Sequence, residues 1–252
     1  QLDLGDHRDA EPERDDHRRR LAARATTMTH EVKRDLVARI ALGLDAMGVD
    51  EIMILKEPYR VSSGALEIHR YGPVAIGFVP VSVSNTVVGF LRRAMDGAVL
   101  DFVDLDMPTR TLDTMAVMCT LTPEILLDNG IDQLRIPGSL HAAEHAAIGL
   151  LPLVASCDRG DIGGVSTASG PAPGDLSGLP TIFVYDGYPG GAGFADRGFR
   201  QLSTWWAATA AAIEACECRH GCPSCVQSPK CGNANDPLDK AGAVQVLRLV
   251  VG

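Results

Sequence analysis

The sequence predicts an α+β protein: a small, mainly antiparallel β unit, then helices, then a helix-flanked cysteine loop able to offer four ligands. Three observations carry this. Residues 51–120 hold short apolar runs whose period is that of strands with a buried face. Beyond residue 120 the apolar spacing changes to three and four, the period of helices. Five of the seven cysteines then fall between positions 216 and 231.

Taken in order, residues 1–20 are dense in Asp, Arg and Glu with few apolar anchors and read as a solvated end. A helix is expected near 29–47, capped by Thr29, with Val37, Ile40, Ala41 and Leu44 on one face and Gly48 as its stop. The runs DEIMIL, VAIGFVPVSV, NTVVGFL, VLDFVDL and MAVMCTL read as strands, with Asp96-Gly97 as a hairpin turn. Thr122, Pro123 and Gly130 bracket a short helix. The segment SLHAAEHAAIGLLPLVAS, residues 139–156, predicts a helix capped by Ser139, with Leu140, Ala143, Ile148 and Leu151 inward and Pro152 near its end. After CDRGDIGG comes a loop rich in Gly, Pro and Ser over 166–180, then TIFVYD as a buried strand over 181–186. GYPGGAG makes a glycine-rich turn into a long helix from about 195 to 216 that holds Trp205 and Trp206. A last helix opens at Asp236 and Pro237, with Ala241, Val244 and Leu247 at helical spacing. There is no internal repeat. The organisation is a charged segment and helix over 1–60 and a domain over 61–252, with the cysteine loop at 216–233.

A hydrophobic fraction of 46% over 252 residues supports a real core. No run approaches the roughly 20 apolar residues that span a bilayer, and no secretory signal opens the chain, so the expectation is a cytoplasmic protein with no membrane partner. The net charge of −9 argues against a strongly basic nucleic-acid module. The acid excess is central: residues 91–200 hold seven Lys and Arg against fourteen Asp and Glu, whereas 201–252 hold four of each. The cysteine region is therefore locally neutral.

That region reads C-x-C-x3-C-x2-C-x5-C over Cys216, Cys218, Cys222, Cys225 and Cys231. A proline after Cys222 turns the backbone so that two thiolates can converge on one ion. Tetrahedral zinc takes four such sulfurs at about 2.3 Å. A disulfide scaffold fits poorly, because the other two cysteines, Cys119 and Cys157, lie far apart and no secretory context is evident. An iron–sulfur cluster is the rival, since it also takes four thiolates. Cys218, Cys222, Cys225 and Cys231 form the compact set, and Cys216, at the end of the preceding helix, is an alternative to Cys218. Arg219, His220 and Lys230 stand close enough in sequence to offset the thiolate charge.

Four other constellations carry possible chemistry. His141-Ala-Ala-Glu144-His145 spells H-x-x-E-H, the inverted zincin pattern, in which two histidines bind zinc and the glutamate is the base. Its third ligand would have to be Glu214 or Glu217, and the plainer alternative is hydrogen bonding within the fold. The turn in VYDGYPGGAGFADRGF offers backbone N–H groups to an anion, but it matches no nucleotide fingerprint, and tight packing accounts for its glycines equally well. Trp205 and Trp206 point about 100° apart on a helix. Core packing suits both, and base stacking suits either if exposed. Arg159, in the tight turn beside Gly163-Gly164, is the first residue to test as a phosphate contact.

Together, HAAEHAAIGLLPLVASCDRGDIGGVS, TIFVYDGYPGGAGFADRGF and CECRHGCPSCVQSPKCGNANDPLDKAGAVQVL resemble the C-terminal zinc-binding domain of the MrfA/SftH type. That domain ends a group of bacterial superfamily 2 DEAD/DEAH-box helicases with fungal relatives. The resemblance runs from about Val81 to the C-terminus, with three separated motifs in order. It implies a role in an ATP-dependent, 3′-to-5′ DNA translocase linked to DNA repair, a structural zinc on Cys218, Cys222, Cys225 and Cys231, and the motor domains of the same protein and single-stranded DNA as partners. No Walker A loop, DEAH box or arginine finger is found here, so ATP and magnesium belong to missing motor domains, and this segment alone is not expected to be an enzyme. The expected nucleic-acid contacts are Arg159, Arg219, His220, Gln227 and Lys230. A metalloprotease built on His141, Glu144 and His145, and a protein-interaction module with structural zinc, are the alternatives.

Overall fold

The computed structural model describes residues 51–56, 60–64, 66–94, 98–231 and 235–252. The helix expected over 29–47 and the Asp96-Gly97 turn lie outside these residues. The chain divides into two compact units, one of Gln1–Pro58, Asn85–Thr109 and Lys230–Ala234, the other of Tyr59–Ser84, Arg110–Pro229 and Asn235–Gly252.

The first unit carries a three-stranded antiparallel sheet in the order β1 (Glu51–Lys56), β5 (Val87–Arg93), β6 (Val99–Asp104). Leu91 is its buried anchor, with Val88, Val99 and Phe102 packed on it. Gly89 has no room for a side chain, because a Cβ would lie 2.4 Å from the Phe102 ring. Arg92 and Asp101 face each other across the β5–β6 ladder and form an ion pair.

The second unit is built on a sheet in the order β2 (Arg60–Ser63), β4 (Val74–Asn85), β7 (Arg110–Leu121), β9 (Thr181–Asp186), β8 (Ile162–Thr167), with β3 (Glu67–Tyr71) also paired to β4. The pairings of β2 and β3 with β4, and of β7 and β8 with β9, are antiparallel. Both faces of this sheet are buried. Along β7 the period of two sends Val117, Cys119 and Leu121 into one core and Ala116 and Met118 into the other. The first core lies under helices α1 (Pro123–Asp128), α2 (Ile136–Ala155), α3 (Phe194–Arg200), α4 (Leu202–Ala215) and α5 (Lys240–Val251). The second lies under the Gly/Pro/Ser-rich loop, which contributes Ala172 and Leu176. Double burial explains why every residue of TIFVYD is buried.

The structure corrects several boundaries. Helix α2 starts at Ile136, three residues before the expected cap, because Pro137 opens it well. Ser139 is therefore inside the helix, where its hydroxyl donates to the Arg135 carbonyl at 2.8 Å. The long helix after the glycine turn is two helices, broken at Gln201, whose backbone (φ −114°, ψ 23°) leaves the helical region. The last helix begins at Lys240, and its cap is Asp239, which accepts the Gly242 N–H at 2.9 Å. Its inward face is Gly242, Ala243, Val246 and Leu247, and Ala241 is exposed.

Strand β8 stands where the sequence predicts a tight turn around Gly163-Gly164 and the start of a loop at 166, because its glycines mask the strand pattern. They are there for space. A Cβ on Gly163 would lie 2.3 Å from the Tyr185 ring, and one on Gly164 would lie 2.4 Å from Ile148 and 2.6 Å from the Glu144 carboxylate. Among the described residues no helix is long and apolar enough to cross a membrane.

Candidate metal centre

Helix α4 delivers the chain to the cysteine loop. Its last turn ends at Ala215, and Cys216 already has an extended backbone (φ −78°, ψ 121°), so its sulfur leaves the helical path and turns into the loop. The next turn needs Gly221, at φ +108°, where a side chain would also meet Val226 at 2.5 Å. Cys225 N–H and Gln227 N–H both donate to the Cys222 carbonyl, at 3.0 and 3.1 Å, and close the Cys222–Cys225 turn. The Cys222 N–H donates to the Cys225 sulfur at 3.3 Å.

Four sulfurs converge: Cys216, Cys218, Cys222 and Cys225, with their Sγ atoms all within 4.8 Å of one another. Neighbouring sulfurs are 3.6 Å apart for Cys216–Cys218, 3.5 Å for Cys216–Cys222 and Cys218–Cys225, and 3.8 Å for Cys222–Cys225. A tetrahedron with zinc–sulfur bonds of about 2.3 Å has edges of about 3.8 Å, so the donor set fits zinc. No sulfur pair is at bonding distance, and none of the cysteines is in a disulfide. This set holds Cys216 beside Cys218, where the expected one held Cys231.

The thiols are unequal. Burial raises Cys218, but its sulfur neighbours Cys225, Cys216 and Cys222 and the Gly221 backbone outweigh that and bring it down to about 7. Cys225 is pushed up to about 12, chiefly by burial. Cys119 is a core residue whose thiol burial raises far out of reach of ionisation, so it is packing material.

The cation that serves this loop is Lys240, at the start of α5. Its ammonium donates to the carbonyls of Cys216 and, at 2.7 Å, Cys218. Sequence reasoning missed it. The signal was a lysine in the first turn of a helix, where the dipole disfavours positive charge. Of the residues expected to offset the thiolates or touch nucleic acid, Arg219 and His220 are exposed on the loop. Gln227 instead stitches the loop, donating to the Gly221 carbonyl at 3.3 Å. Lys230 falls in the other unit. Arg159 points inward: it donates to the Ser228 hydroxyl at 3.2 Å, and burial lowers its pKa against the opposing pull of Glu144.

The H-x-x-E-H side chains tie α2 to the loop. His141 Nδ1–H donates to the Pro237 carbonyl at 3.0 Å and His145 Nδ1–H to the Val226 carbonyl at 2.9 Å. Glu144, buried, accepts the Ser166 hydroxyl at 2.6 Å. Glu214, one of the two acids needed for a zincin, is engaged by Arg248 at 2.7 Å. Among the described residues no carboxylate joins the two histidines in a ligand set. Asn235 closes the exit of the loop by pairing with both backbone groups of Ser228, at 2.7 and 3.2 Å.

The glycine-rich turn holds an anion of its own. Asp186, 1% exposed, ends β9 and accepts the N–H groups of Ala192, Gly193 and Ala195 at 2.6, 2.8 and 2.7 Å. The donors that suggested a phosphate cradle are thus occupied by a carboxylate of the same motif. Trp205 and Trp206 are both core, edge to face at 5.9 Å, and Trp205 donates to the Ala147 carbonyl at 2.8 Å. Neither is available to stack on a base.

Comparison with known proteins agrees with this geometry. The MrfA Zn-binding domain family model matches residues 143–226, which include all four converging cysteines. The chain is 29% identical over 191 residues to the ATP-dependent helicase YprA of Bacillus subtilis, covering 75% of this chain and 22% of that protein. It is 33% identical over 108 residues to the protein MJ1572.1 of Methanocaldococcus jannaschii, covering 43% of this chain and 96% of that one. The crystal structure of the DUF1998 helicase MrfA bound to DNA shares the fold, with a TM-score of 0.58 and 24% identity over 78% of this chain and 26% of that one. The chain thus spans about a fifth to a quarter of its helicase relatives and nearly all of its archaeal one. It belongs to the family of the MrfA zinc-binding domain.

Proposed function

We propose that this chain is the non-motor, C-terminal part of an ATP-dependent 3′-to-5′ DNA helicase linked to DNA repair, and that it guides single-stranded DNA beside the motor domains. The observation that carries the reading is the coincidence of the zinc-domain match, the four-sulfur cluster and the alignment to a helicase in one stretch of chain. The ligands we assign are Cys216, Cys218, Cys222 and Cys225. Four thiolates fill a tetrahedral shell, the structural pattern for zinc, whereas hydrolytic sites keep one position for water. The metal would fix the loop between α4 and α5, and with it the exposed Arg219 and His220. The sequence contains no G-x-x-x-x-G-K-[ST] loop, so ATP hydrolysis belongs to a motor supplied from outside it.

The test is DNA binding by the purified chain across a salt series, with metal content measured on the same sample. About one zinc per chain, and affinity for single-stranded DNA that falls log-linearly with salt, support the reading. A zinc-loaded chain that binds no DNA at low salt would remove the guidance role and leave a protein-interaction module. Iron with sulfide in place of zinc would replace the structural site by a cluster.

A further inference from the structure

An open groove of about 560 Å³ lies within the second unit, and none of the cysteines lines it. One wall is the edge strand β3. Alternation puts Glu67, His69 and Tyr71 on one side of it and leaves Ile68 to pack on the second core. The rest of the lining is the break between α3 and α4, with Phe199, Arg200, Gln201 and Ser203, and the end of α5 at Leu249–Gly252.

Four rings run in file out of this groove. Phe78 and Phe199 stack at 5.9 Å and 28°, Phe199 and His69 at 5.8 Å and 27°, and His69 and Tyr71 at 6.5 Å and 26°. The inner two, Phe78 and Phe199, are packed against the helical core, whereas Tyr71 at the outer end is 62% exposed. The file is therefore held at its base and open at its tip. An exposed ring fixed in this way stacks on a flat partner with little loss of side-chain freedom.

Charge completes the picture. The chain as a whole is acidic; among the described residues lining the groove the charged side chain is Arg200, with Asp196 and Glu67 near it. Arg200 is paired with Asp196 one turn before it and His69 with Glu67, each at 2.9 Å and exposed. Exposed pairs of this kind are weak, and a phosphate can compete for the cation. Gln201, Ser203 and Thr204 add side-chain donors and acceptors at the level of the rings.

We infer that this groove is a binding site for an unpaired stretch of DNA, with bases stacked on Tyr71 and His69 and a backbone phosphate on Arg200. Duplex DNA hides its base faces, so only an unpaired strand can use the file. The inference rests on the proposed DNA-guiding role and gives it a location.

The experiment measures anisotropy of a fluorescein-labelled oligothymidine and of an abasic strand of the same length, with the purified zinc-loaded chain. Tyr71→Ala, at an exposed position, is expected to weaken oligothymidine binding by about five- to a hundred-fold and to leave the abasic strand unchanged. Tyr71→Phe, which keeps the ring, should bind like the wild type. Ultraviolet crosslinking with 5-iododeoxyuridine should place an adduct on Tyr71 or His69. Wild-type affinity in both Tyr71→Ala and His69→Ala would overturn the inference, leave the helicase reading intact and make the groove a surface for a polypeptide. Equal loss on both strands would also overturn it, because stacking requires bases. A wild type that binds neither strand would defeat the inference and the proposed guidance role together.

Discussion

Two loops of this molecule each carry a ligand-like motif in sequence and behave in opposite ways. The glycine turn after β9 and the cysteine loop after α4 each concentrate groups suited to a charged ligand. The first is closed on itself, because Asp186 fills its N–H donors from within the chain. The second converges four thiols, and Lys240 reaches the carbonyls of Cys216 and Cys218 rather than the sulfurs. A ligand-like motif signals an external ligand only where the fold does not supply the counter-charge.

The sharpest way to break this comparison is to remove ligands one at a time. Cys216→Ser and Cys222→Ser should each lose the metal by elemental analysis and lower the melting temperature by on the order of 10–20 °C, since structural zinc contributes folding energy directly. Cys231→Ser should keep one zinc. Metal loss in Cys231→Ser with retention in Cys216→Ser would restore the ligand set expected from sequence.

The self-closed loop should respond differently. Asp186→Ala leaves three N–H groups without their carboxylate and should cost about 3 kcal/mol or more by denaturant unfolding. Its zinc content should not change, and loss of metal in that variant would show that the two loops are coupled. Lys240→Met is a smaller perturbation. It releases the carbonyls of Cys216 and Cys218 and should weaken zinc affinity by about 10- to 100-fold in a chelator competition, with the fold retained. The smallest effect belongs to Arg219→Ala. Stability and zinc should be unchanged, while the slope of log affinity for single-stranded DNA against log salt should fall by about 0.7 if this residue meets a phosphate.

Much of the fold was legible because it is periodic. The strands β4, β5, β6, β7 and β9 and the helix carrying His141 announce themselves by apolar spacing, and the cysteine spacing marks the metal loop without help from any contact. Strand β8 was hidden because its glycines answer to Tyr185 and Glu144, neighbours that no local pattern reports. The break at Gln201 was hidden because both helices keep the same apolar rhythm on either side of it.

What the sequence by itself determined is therefore the class of the protein, most of its elements and the existence of a thiolate site. Only the tertiary structure decided which sulfurs meet, since the direction of Cys216 depends on leaving the helix one residue early and that of Cys222 on the left-handed Gly221 before it. It also decided that Asp186 serves the glycine turn, that Arg159 faces inward, and that Phe199 joins His69 and Tyr71 in one file. The physical reason is common to all of these. Periodicity records which face of an element is buried, whereas the identity of the partner depends on how separate elements pack, and that is fixed only when the whole core closes.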